Sequence, residues 1–542
     1  MWAFLLGCTT APSSDTAGST DSVDTAETGD TAAPTAYCDD GTVARPFDFT
    51  AAGADYGGLA GDVTVPTDAG DWSLGSTWTG CDSYVFIGVS ATDGYTSLLL
   101  DDDLAQLLKK GPEHAHYVLF ADASAADAPA LQAQLRTLVD ASLDAIPANR
   151  RDEWATRVHV ATVRAADAPG WIGALFAAYQ FPVVGVDHAQ TIREVGYLAD
   201  PLTNWTTATW ETLGYEVQLY EFEAQRQARL DAEGATVVRV FDAADTRTAD
   251  WTGAATIELP DAATMASFNR VEVDVTLACG GPWYDACPAW DTSDYFWRCE
   301  TDDPATEADE SQTCEEMSRI ITGYWRGGRW VTDGRHQLPA LLDGGAHTFR
   351  YTGSMANIVT VDLRFYHDEA SFSPIGAQQL WWETGDFWDA TYDERHATHP
   401  VDIPADATHV ELVAILTGHG SDGHGCGEFC PSEQTFTLNG GAAWSVDFPT
   451  AGSRDGCAER VATDGSLPNQ AGTWTYGRNG WCPGLAVAPV AWDVSADALA
   501  GTENTVGYQA LLRGEPYVTD GDGNLDVGVW WSGATDRRPA PD

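Results

Sequence analysis

Two short loops bracketed by cysteines each hold an acidic residue of the kind that hydrolytic chemistry uses. The first, Cys279–Asp291 (CGGPWYDACPAWD), follows an alternating run over 271–277 that predicts a strand with one buried face. If Cys279 and Cys287 are bridged, they close a loop of about nine residues, stabilise the fold by roughly 2–3 kcal/mol and hold Asp291 at the strand end. A carboxylate fixed in this way suits proton transfer in a hydrolytic site. The alternative is a surface aspartate beside a structural disulfide.

The second loop, Gly418–Cys430 (GHGSDGHGCGEFC), contains a Cys-x3-Cys pair. A bridge between Cys426 and Cys430 would close so small a loop that its entropic contribution is only roughly 2 kcal/mol. We expect its main effect to be geometric, because Glu428 lies inside the loop.

A third stretch supplies a cation. In Gly472–Gly484 (GTWTYGRNGWCPG), Arg478 stands shortly before Trp481 and Cys482. Pairing Cys457 with Cys482 would close about 26 residues and stabilise the fold by roughly 3–4 kcal/mol. An arginine beside carboxylates can hold one of them ionised and bind the negative charge that develops in a transition state.

Two other patterns could bind a metal. His419 and His424 are five residues apart in a Gly-rich loop, although a turn in which one histidine contacts the site is the favoured interpretation. The stretch 520–526 resembles a calcium-binding loop, because it has oxygen-bearing side chains at alternate positions: Asp520, Asp522, Asn524 and Asp526. Trp531 stands where such a loop ends in Glu, so a β-hairpin turn is the default. We expect no cofactor, with a structural calcium ion as the alternative.

The charge of the chain excludes one class of function. Its 542 residues include 28 Lys and Arg against 81 Asp and Glu, a formal net charge of -53 at pH 7. Such a surface repels nucleic-acid phosphates and anionic membranes, which excludes nucleic-acid binding as a main function. A hydrophobic content of 44% with 22 Trp is typical of folded, strand-rich domains, and the length predicts about two to four of them.

The cysteines and the first residues indicate an exported protein. Leu5–Cys8 (LLGC) resembles the end of a bacterial lipoprotein signal, in which Cys8 is lipidated; a stray N-terminal cysteine is the alternative. The segment before Cys8 is short and has no basic residue, so we expect the natural start to lie further upstream. The chain has 11 cysteines, so an even number remains once Cys8 is set aside, which is consistent with disulfides formed in an oxidising compartment. We therefore predict an extracytoplasmic lipoprotein anchored to the outer membrane or cell surface.

Residues 9–37 are almost wholly Thr, Ser, Asp, Ala and Gly and predict a disordered acidic linker. Residues 38–204 alternate strand and helix signals in the order βαβαβαββ, which predicts an α/β domain with a mainly parallel sheet. The strands are expected at 84–89, 117–121, 158–163, 183–186 and 192–197, and the helices at 103–110, 128–146 and 171–179. The end of this region, 181–196, resembles the closing hairpin of thioredoxin-like domains. No cysteine lies in Ala91–Thr96, where that family has its redox pair, so the resemblance concerns the fold alone.

Residues 205–235 are expected to form a helical linker. Within them Thr209–Leu230 has apolar residues at helical spacing and predicts a helix that docks against the α/β sheet, with a strand still possible for its first half. The rest of the chain consists of short alternating runs between Gly, Pro, Asp and Asn turns, which predict antiparallel sandwiches. A break near Ser371–Gln378 divides it into 236–370 and 371–536.

Over residues 236–535 the chain resembles the peptide-N-glycosidase F family, bacterial glycoamidases built from two jelly-roll domains. The shared features are a short disulfide loop ending in Trp290-Asp291, a Cys-x-Glu-aromatic-Cys hairpin at 426–430 and a GWCPG turn at 480–484. Ile321–Gly327 (ITGYWRG) is similar to a further strand of that family.

The resemblance implies a metal-free site in the cleft between the jelly rolls 236–370 and 371–536. Asp291 falls on the essential aspartate of the family, Glu428 on its second active-site glutamate and Arg478 on a supporting arginine. Substrate binding is assigned to Trp290, to His419, which replaces a family aromatic residue, and to Trp481.

Two further disulfides are expected. Cys38 and Cys81 flank the start of the α/β domain and are paired on that ground. Cys299 and Cys314 enclose an acidic insertion in the first jelly roll, which could reshape or cover the cleft.

The family cleaves the amide between an asparagine side chain and the first N-acetylglucosamine of an N-linked glycan. We therefore predict a monomeric peptide-N-glycosidase-like amidase that acts on N-linked glycoproteins and meets membranes only through its anchor. The alternative is a catalytically inactive surface lipoprotein that binds glycans or proteins through the same cleft. It is supported by the fused α/β domain, by Ile358 near the position of the third family acid and by Thr292 in place of a family arginine.

Overall fold

A computed structural model of the chain describes residues 38–39, 41–92, 94–179, 182–246, 252–281, 287–300, 314–353, 357–368, 372–396 and 398–536. Cys8 and the linker 9–37 lie outside the described residues, as does most of the acidic insertion after Cys299. Among the described residues no helix has the length and apolar character needed to cross a membrane.

The N-terminal part is built on a seven-stranded mixed sheet. Its strands are β1 (Thr64–Thr67), β2 (Gly70–Ser73), β3 (Ser83–Ser90), β4 (Ala115–Asp122), β5 (Val158–Arg164), β6 (Val183–Val186) and β7 (Ile192–Glu194), in the spatial order β2-β1-β5-β4-β3-β6-β7. Strands β3, β4 and β5 are parallel, and β6 and β7 form an antiparallel hairpin. This confirms the predicted alternation and the closing hairpin. The expectation of a mainly parallel sheet is wrong, because β1, β2, β6 and β7 all pair antiparallel. The β1–β2 hairpin is an addition that the sequence pattern did not predict.

Helices cover this sheet at the predicted places. They are α1 (Leu74–Thr77), α2 (Leu104–Lys110), α3 (Ala128–Asp144), α4 (Ala148–Trp154) and α5 (Gly170–Ala178), with 3-10 turns at Tyr95–Asp101, Ala165–Asp167 and Pro201–Thr203. The predicted helix 128–146 is confirmed as α3, which ends at Asp144. Helix α4, which starts after Pro147, is an addition that the sequence analysis did not predict. A thioredoxin-like identity for this region stays a prediction.

Helix α6 (Glu211–Glu233) joins the two parts of the molecule and confirms the predicted docking helix. Leu213 and Val217 pack into the core of the α/β sheet. Leu219, with Tyr215 against it, belongs to the core of the sandwich that follows. Opposite faces of one helix thus contact both cores.

The next part is a β-sandwich of two antiparallel sheets. Its strands are β8 (Thr236–Asp245), β9 (Thr252–Asp261), β10 (Arg270–Ala278), β11 (Ser293–Cys299), β12 (Cys314–Ile321), β13 (Gly328–Asp333), β14 (Gly344–Thr352) and β15 (Ile358–Tyr366), with a short α7 (Ala262–Met265) and a 3-10 turn at Arg335–Leu341. Inward residues alternate along β10 and β15, as a half-buried strand requires, and pack against Phe296 and Phe349 of the facing sheet.

A second sandwich follows. Its strands are β16 (Ser373–Phe387), β17 (His399–Ile403), β18 (His409–His419), β19 (Ser432–Leu438), β20 (Ala443–Asp447), β22 (Val490–Asp493), β23 (Thr502–Leu512), β24 (Glu515–Pro516) and β25 (Asn524–Thr535), with short helices α8 (Tyr392–Arg395) and α9 (Val461–Asp464) and a 3-10 turn at Ala458–Arg460. The sheets have the orders β16-β25-β18-β22 and β17-β23-β19-β20. The expected break at 371–378 is wrong for its last six residues, because they begin the long strand β16.

One segment crosses between the sandwiches. Strand β21 (Leu485–Val487) pairs with Ile321 and its neighbours in β12, so it extends a sheet of the first sandwich. Cys457, Val461 and Trp474 also belong to the core of the first sandwich. Part of the segment 457–487, which the sequence analysis places in the second sandwich, thus packs its apolar side chains on the neighbouring core.

The described residues contain five disulfides, and they are the five pairs expected from the sequence: Cys38–Cys81, Cys279–Cys287, Cys299–Cys314, Cys426–Cys430 and Cys457–Cys482. Such bridges form and persist in oxidising compartments outside the cytoplasm.

Candidate functional site

Asp291 lies at the start of β11, directly after the Cys279–Cys287 loop. The hydroxyl of Thr322 accepts a hydrogen bond from the N–H of Thr292 at 2.9 Å and donates one to the carbonyl oxygen of Trp290 at 2.6 Å. The backbone on both sides of Asp291 is thereby fixed. Its side chain is 14% exposed, so the carboxylate is held near the surface but largely out of water.

Glu428 is held by the turn that joins β18 to β19. Its N–H donates to the carbonyl of Gly420 at 2.9 Å, and its own carbonyl accepts from the N–H of Asn479 at 2.8 Å. Gly427 has φ +108, and a Cβ there would lie 2.5 Å from the carbonyl oxygen of His419. Only glycine fits this position, so the local sequence determines where Glu428 projects.

Arg478 is buried, and its guanidinium is held by several hydrogen bonds and ring contacts. Its Nη1 donates to the carbonyl oxygens of Thr473 and Tyr476 at 2.9 and 2.6 Å, and its Nη2 donates to the Thr473 hydroxyl at 2.9 Å. The guanidinium also lies over the rings of Phe429 and Trp481, 5.0 and 5.3 Å from their centroids. These contacts fix the cation in one orientation.

The two acids converge on this arginine. Arg478 Nε donates to Glu428 Oε1 at 2.8 Å, and Arg478 Nη2 lies 3.7 Å from Asp291 Oδ2. The acids come from different sandwiches, and both remain partly open to solvent, with Glu428 19% exposed. The predicted meeting of Asp291, Glu428 and Arg478 is therefore present.

Burial gives the two acids different proton affinities. Burial raises the pKa of Glu428 to about 7, since the nearby Asp291 adds to this effect and Arg478 only partly offsets it. Burial also raises the pKa of Asp291, but a hydrogen bond from Tyr324 and the charge of Arg478 oppose that rise. Two carboxyl groups with separated pKa values can act as base and acid in one reaction.

Tyr324 is a site residue that the sequence analysis did not assign. The resemblance predicts a strand over 321–327, but β12 ends at Ile321 and the following residues form a turn. Trp325 has φ +59, and its N–H donates to the carbonyl oxygen of Pro288 at 2.7 Å, so the turn is attached to the Cys279–Cys287 loop. This turn places the Tyr324 hydroxyl on Asp291. The signal available in the sequence was a polar-aromatic residue next to glycine inside a supposed strand.

The three predicted substrate-binding residues have different environments. Trp290 is 61% exposed beside Asp291 and offers a free aromatic face. Trp481 is buried, and its Nε1 donates to the carbonyl oxygen of Gly418 at 2.7 Å. Its assignment to substrate binding is wrong, because the ring packs under Arg478 and leaves no face for a ligand. His419 stacks on Trp481, and its Nε2 lies 2.8 Å from the Thr417 hydroxyl.

The metal patterns seen in the sequence do not assemble among the described residues. Asp520 accepts a hydrogen bond from the N–H of Gly423, whereas Asp526 accepts from Gly385 and from the Tyr295 hydroxyl, so their carboxylates are used in separate contacts. His424 is exposed, and its Nε2 lies 4.0 Å from Asp520. One different group of three side chains in the described part of the chain has metal-ligand spacing: Glu383, Asp386 and His396.

Comparison with known proteins gives one family. A sequence model described as "Peptide-N-glycosidase F, C terminal" matches residues 388–527, roughly a quarter of the chain. No curated protein sequence matches the chain.

Among solved structures, the chain is similar to PNGase F, a glycosylasparaginase from Flavobacterium meningosepticum, with 15% identity, coverage of 56% of this chain and 97% of that one, and a TM-score of 0.44. A structure of peptide-N(4)-(N-acetyl-β-D-glucosaminyl)asparagine amidase gives 15% identity, 57% and 98% coverage and a TM-score of 0.44. PNGF-II gives 13% identity, 58% and 68% coverage and a TM-score of 0.43. Residues 388–527 are thus related to the C-terminal part of the peptide-N-glycosidase F family.

Proposed function

We propose that the chain is a peptide-N-glycosidase-like amidase that hydrolyses the amide between an asparagine side chain and the first N-acetylglucosamine of an N-linked glycoprotein. The observation that carries the proposal is the buried Arg478 placed between two acids of different pKa, Asp291 and Glu428. The family match over 388–527 supports it, because that stretch supplies both Glu428 and Arg478.

The residues divide the reaction as follows. Asp291, held by Tyr324 and facing Arg478, removes a proton from the water that attacks the amide carbonyl. Glu428 remains protonated up to a higher pH and gives its proton to the leaving nitrogen. The C–N bond breaks, so the asparagine becomes an aspartate and the glycan leaves as a glycosylamine. Arg478 offsets the negative charge that develops, and its three hydrogen bonds to Thr473 and Tyr476 hold it in place, so it need not reorganise.

Trp290 is the residue best placed to bind substrate. It follows the Cys279–Cys287 loop, adjoins Asp291 and is largely exposed, whereas the other aromatic residues beside Arg478 are packed against it. Its free face suits the apolar face of a sugar ring.

The direct test is incubation of the protein with a denatured N-glycoprotein, followed by mass spectrometry of the peptide. Release of the whole glycan with conversion of the linked asparagine to aspartate is expected. Retention of all glycan with an intact asparagine would contradict the proposal. Glycan binding without release, measured in parallel by calorimetry, would instead favour a surface protein that uses the same cleft without catalysis.

The pKa of Glu428 predicts the pH dependence. Because Glu428 acts as an acid, kcat/KM is expected to fall as the pH rises through about 7, where this carboxyl loses its proton. On the acidic side the rate is expected to fall once Asp291 is protonated, at a pH above the usual range of an aspartate. A pH series of initial rates on one glycopeptide measures both limbs. A rate that rises through pH 7 would reverse the roles of the two acids.

A further inference from the structure

A second cluster of ionisable side chains lies in the other half of the second sandwich. Glu383 and Asp386 lie near the end of the long strand β16, and His396 directly follows helix α8. One ligand atom from each lies within 4.8 Å of the other two. None of the three belongs to the site formed by Asp291, Glu428 and Arg478.

His396 is oriented as a metal-binding histidine would be. His396 is completely buried, and its Nδ1 lies 2.9 Å from the carbonyl oxygen of Tyr392, to which a neutral imidazole donates its proton. The other nitrogen, Nε2, is buried and makes no hydrogen bond of acceptable geometry. It lies 3.2 Å from Glu383 Oε2 and 3.8 Å from Asp386 Oδ2. A backbone carbonyl that fixes one ring nitrogen while the other faces carboxylates is the usual arrangement of a metal-binding histidine.

The two carboxylates lie where a cation would be stabilised. Glu383 and Asp386 lie within hydrogen-bonding reach of each other, an arrangement in which two negative charges repel. Arg395 offsets one of them, because its Nη2 and Nε donate to the two oxygens of Asp386 at 2.8 and 3.2 Å. The other carboxylate, Glu383, faces Nε2 of His396 at 3.2 Å, a position that either a proton or a metal ion on Nε2 can occupy. A divalent cation that replaces this proton would bind the imidazole nitrogen and the carboxylate at once.

The spacing indicates which ion fits. Zinc binds imidazole nitrogen and carboxylate oxygen at about 2.0–2.2 Å in a tetrahedron, so neighbouring ligand atoms lie about 3.3–3.5 Å apart. The distances from His396 Nε2, 3.2 and 3.8 Å, bracket this value. An imidazole ligand disfavours calcium and magnesium, which take oxygen. Glu383 is 39% exposed, so an ion can enter from solvent and keep water as its fourth ligand.

We propose that Glu383, Asp386 and His396 bind one zinc ion. The ion connects the end of β16 to the turn after α8 and so fixes residues that the ladder alone holds weakly, since the pairing of β16 with β25 is irregular between Glu383 and Asp386. The N–H of Gly385 donates to Asp526, whose other oxygen accepts from the Tyr295 hydroxyl of the first sandwich. The zinc site therefore also stiffens a contact between the two sandwiches.

The test uses the whole protein after dialysis against EDTA. Titration with zinc chloride by calorimetry is expected to show one ion per chain, and the Tm is expected to rise with zinc concentration. Cobalt bound in the same site is expected to give the strong visible absorption of a tetrahedral complex. Glu383→Gln, a half-exposed change that preserves size, is expected to weaken zinc binding by at least about tenfold.

Two variants serve as controls. Glu394→Gln removes the same charge from the exposed side of α8, and His424→Asn removes an exposed histidine beside Asp520; both are expected to bind zinc as the unchanged protein does. No heat and no Tm shift in the unchanged protein would overturn the proposal. Equal binding by Glu383→Gln would overturn it as well, because the zinc would then lie elsewhere. Since binding is measured without substrate, these outcomes are independent of the amidase assay.

Discussion

Replacement of Asp291 by Asn is expected to lower kcat/KM for glycan release by about 10²–10⁴-fold, the range that proton transfer by a positioned side chain contributes. The change keeps the size of the side chain and removes its charge and basicity. Folding is expected to be maintained, because Arg478 retains Glu428 at 2.8 Å and its bonds to Thr473 and Tyr476. The loss therefore reports chemistry rather than structure. Initial rates on a labelled glycopeptide, with a Tm for each variant, give the measurement.

A second readout separates a chemical role for Asp291 from a purely structural one. The negative charge of Asp291 contributes to the raised pKa of Glu428. In Asp291→Asn that contribution is lost, so the pKa of Glu428 is expected to decrease, which carboxyl-carbon NMR can follow. Asp520→Asn, at an exposed acid in the same half of the molecule, is the matched control and is expected to leave both rate and pKa unchanged. Full activity in Asp291→Asn would show that another group activates the water.

The regular part of the fold could be predicted because its signals are local. The order of strands and helices over 38–204 follows from periodicity within each segment, and β3 is a continuous apolar run because it is buried on both faces. The convergence of Asp291 and Glu428 was expected from the resemblance of their disulfide loops to one family. The hydrophobic periodicity of the chain does not predict it. Three disulfides were expected from the cysteine-bearing stretches that resemble this family, Cys38–Cys81 from its position at the start of the α/β domain, and Cys299–Cys314 because it encloses an acidic insertion.

The remaining features depend on contacts between distant segments. Strand β21 is three residues long, and nothing in the sequence of Leu485–Val487 indicates that it pairs with β12 of the first sandwich. The burial of Trp481 depends on Gly418, which lies at the end of the distant strand β18, as well as on the nearby Arg478. Tyr324 reaches Asp291 only because its turn is left-handed at Trp325. Glu383, Asp386 and His396 have a spacing that matches no familiar ligand motif, and only the turn around α8 brings them together.

Arg326→Met is expected to reduce the free energy of unfolding by about 3–5 kcal/mol, the cost of leaving a buried charge without its partner. Arg326 lies in the turn that carries Tyr324, and its Nη1 and Nη2 donate to the two oxygens of Glu216 in α6 at 3.0 and 2.9 Å. Glu216 is fully buried, and burial raises its pKa even with the arginine present. Urea unfolding followed by tryptophan fluorescence measures the change.

A double variant tests the explanation of this loss. Glu216→Leu in the Arg326→Met background removes the stranded carboxylate and is expected to recover most of the lost stability, because an apolar pair of similar volume can replace a buried ion pair. Lys110→Met, which breaks the exposed pair between Lys110 and Glu211, is the control and is expected to cost less than about 1 kcal/mol. An equal cost for Lys110→Met and Arg326→Met would contradict the importance of burial.

The same pair connects the α/β region to the candidate site. Glu216 belongs to the helix that packs on the α/β sheet, whereas Arg326 is two residues from Tyr324, which holds Asp291. Arg326 also donates to the carbonyl oxygen of Glu194 at the end of β7, so the turn is attached to the α/β sheet directly. At a temperature where Arg326→Met is still folded, kcat is expected to fall more than KM rises, because the turn loses its support and Asp291 loses its fixed position. Unchanged kcat in the folded variant would show that the α/β region contributes stability alone.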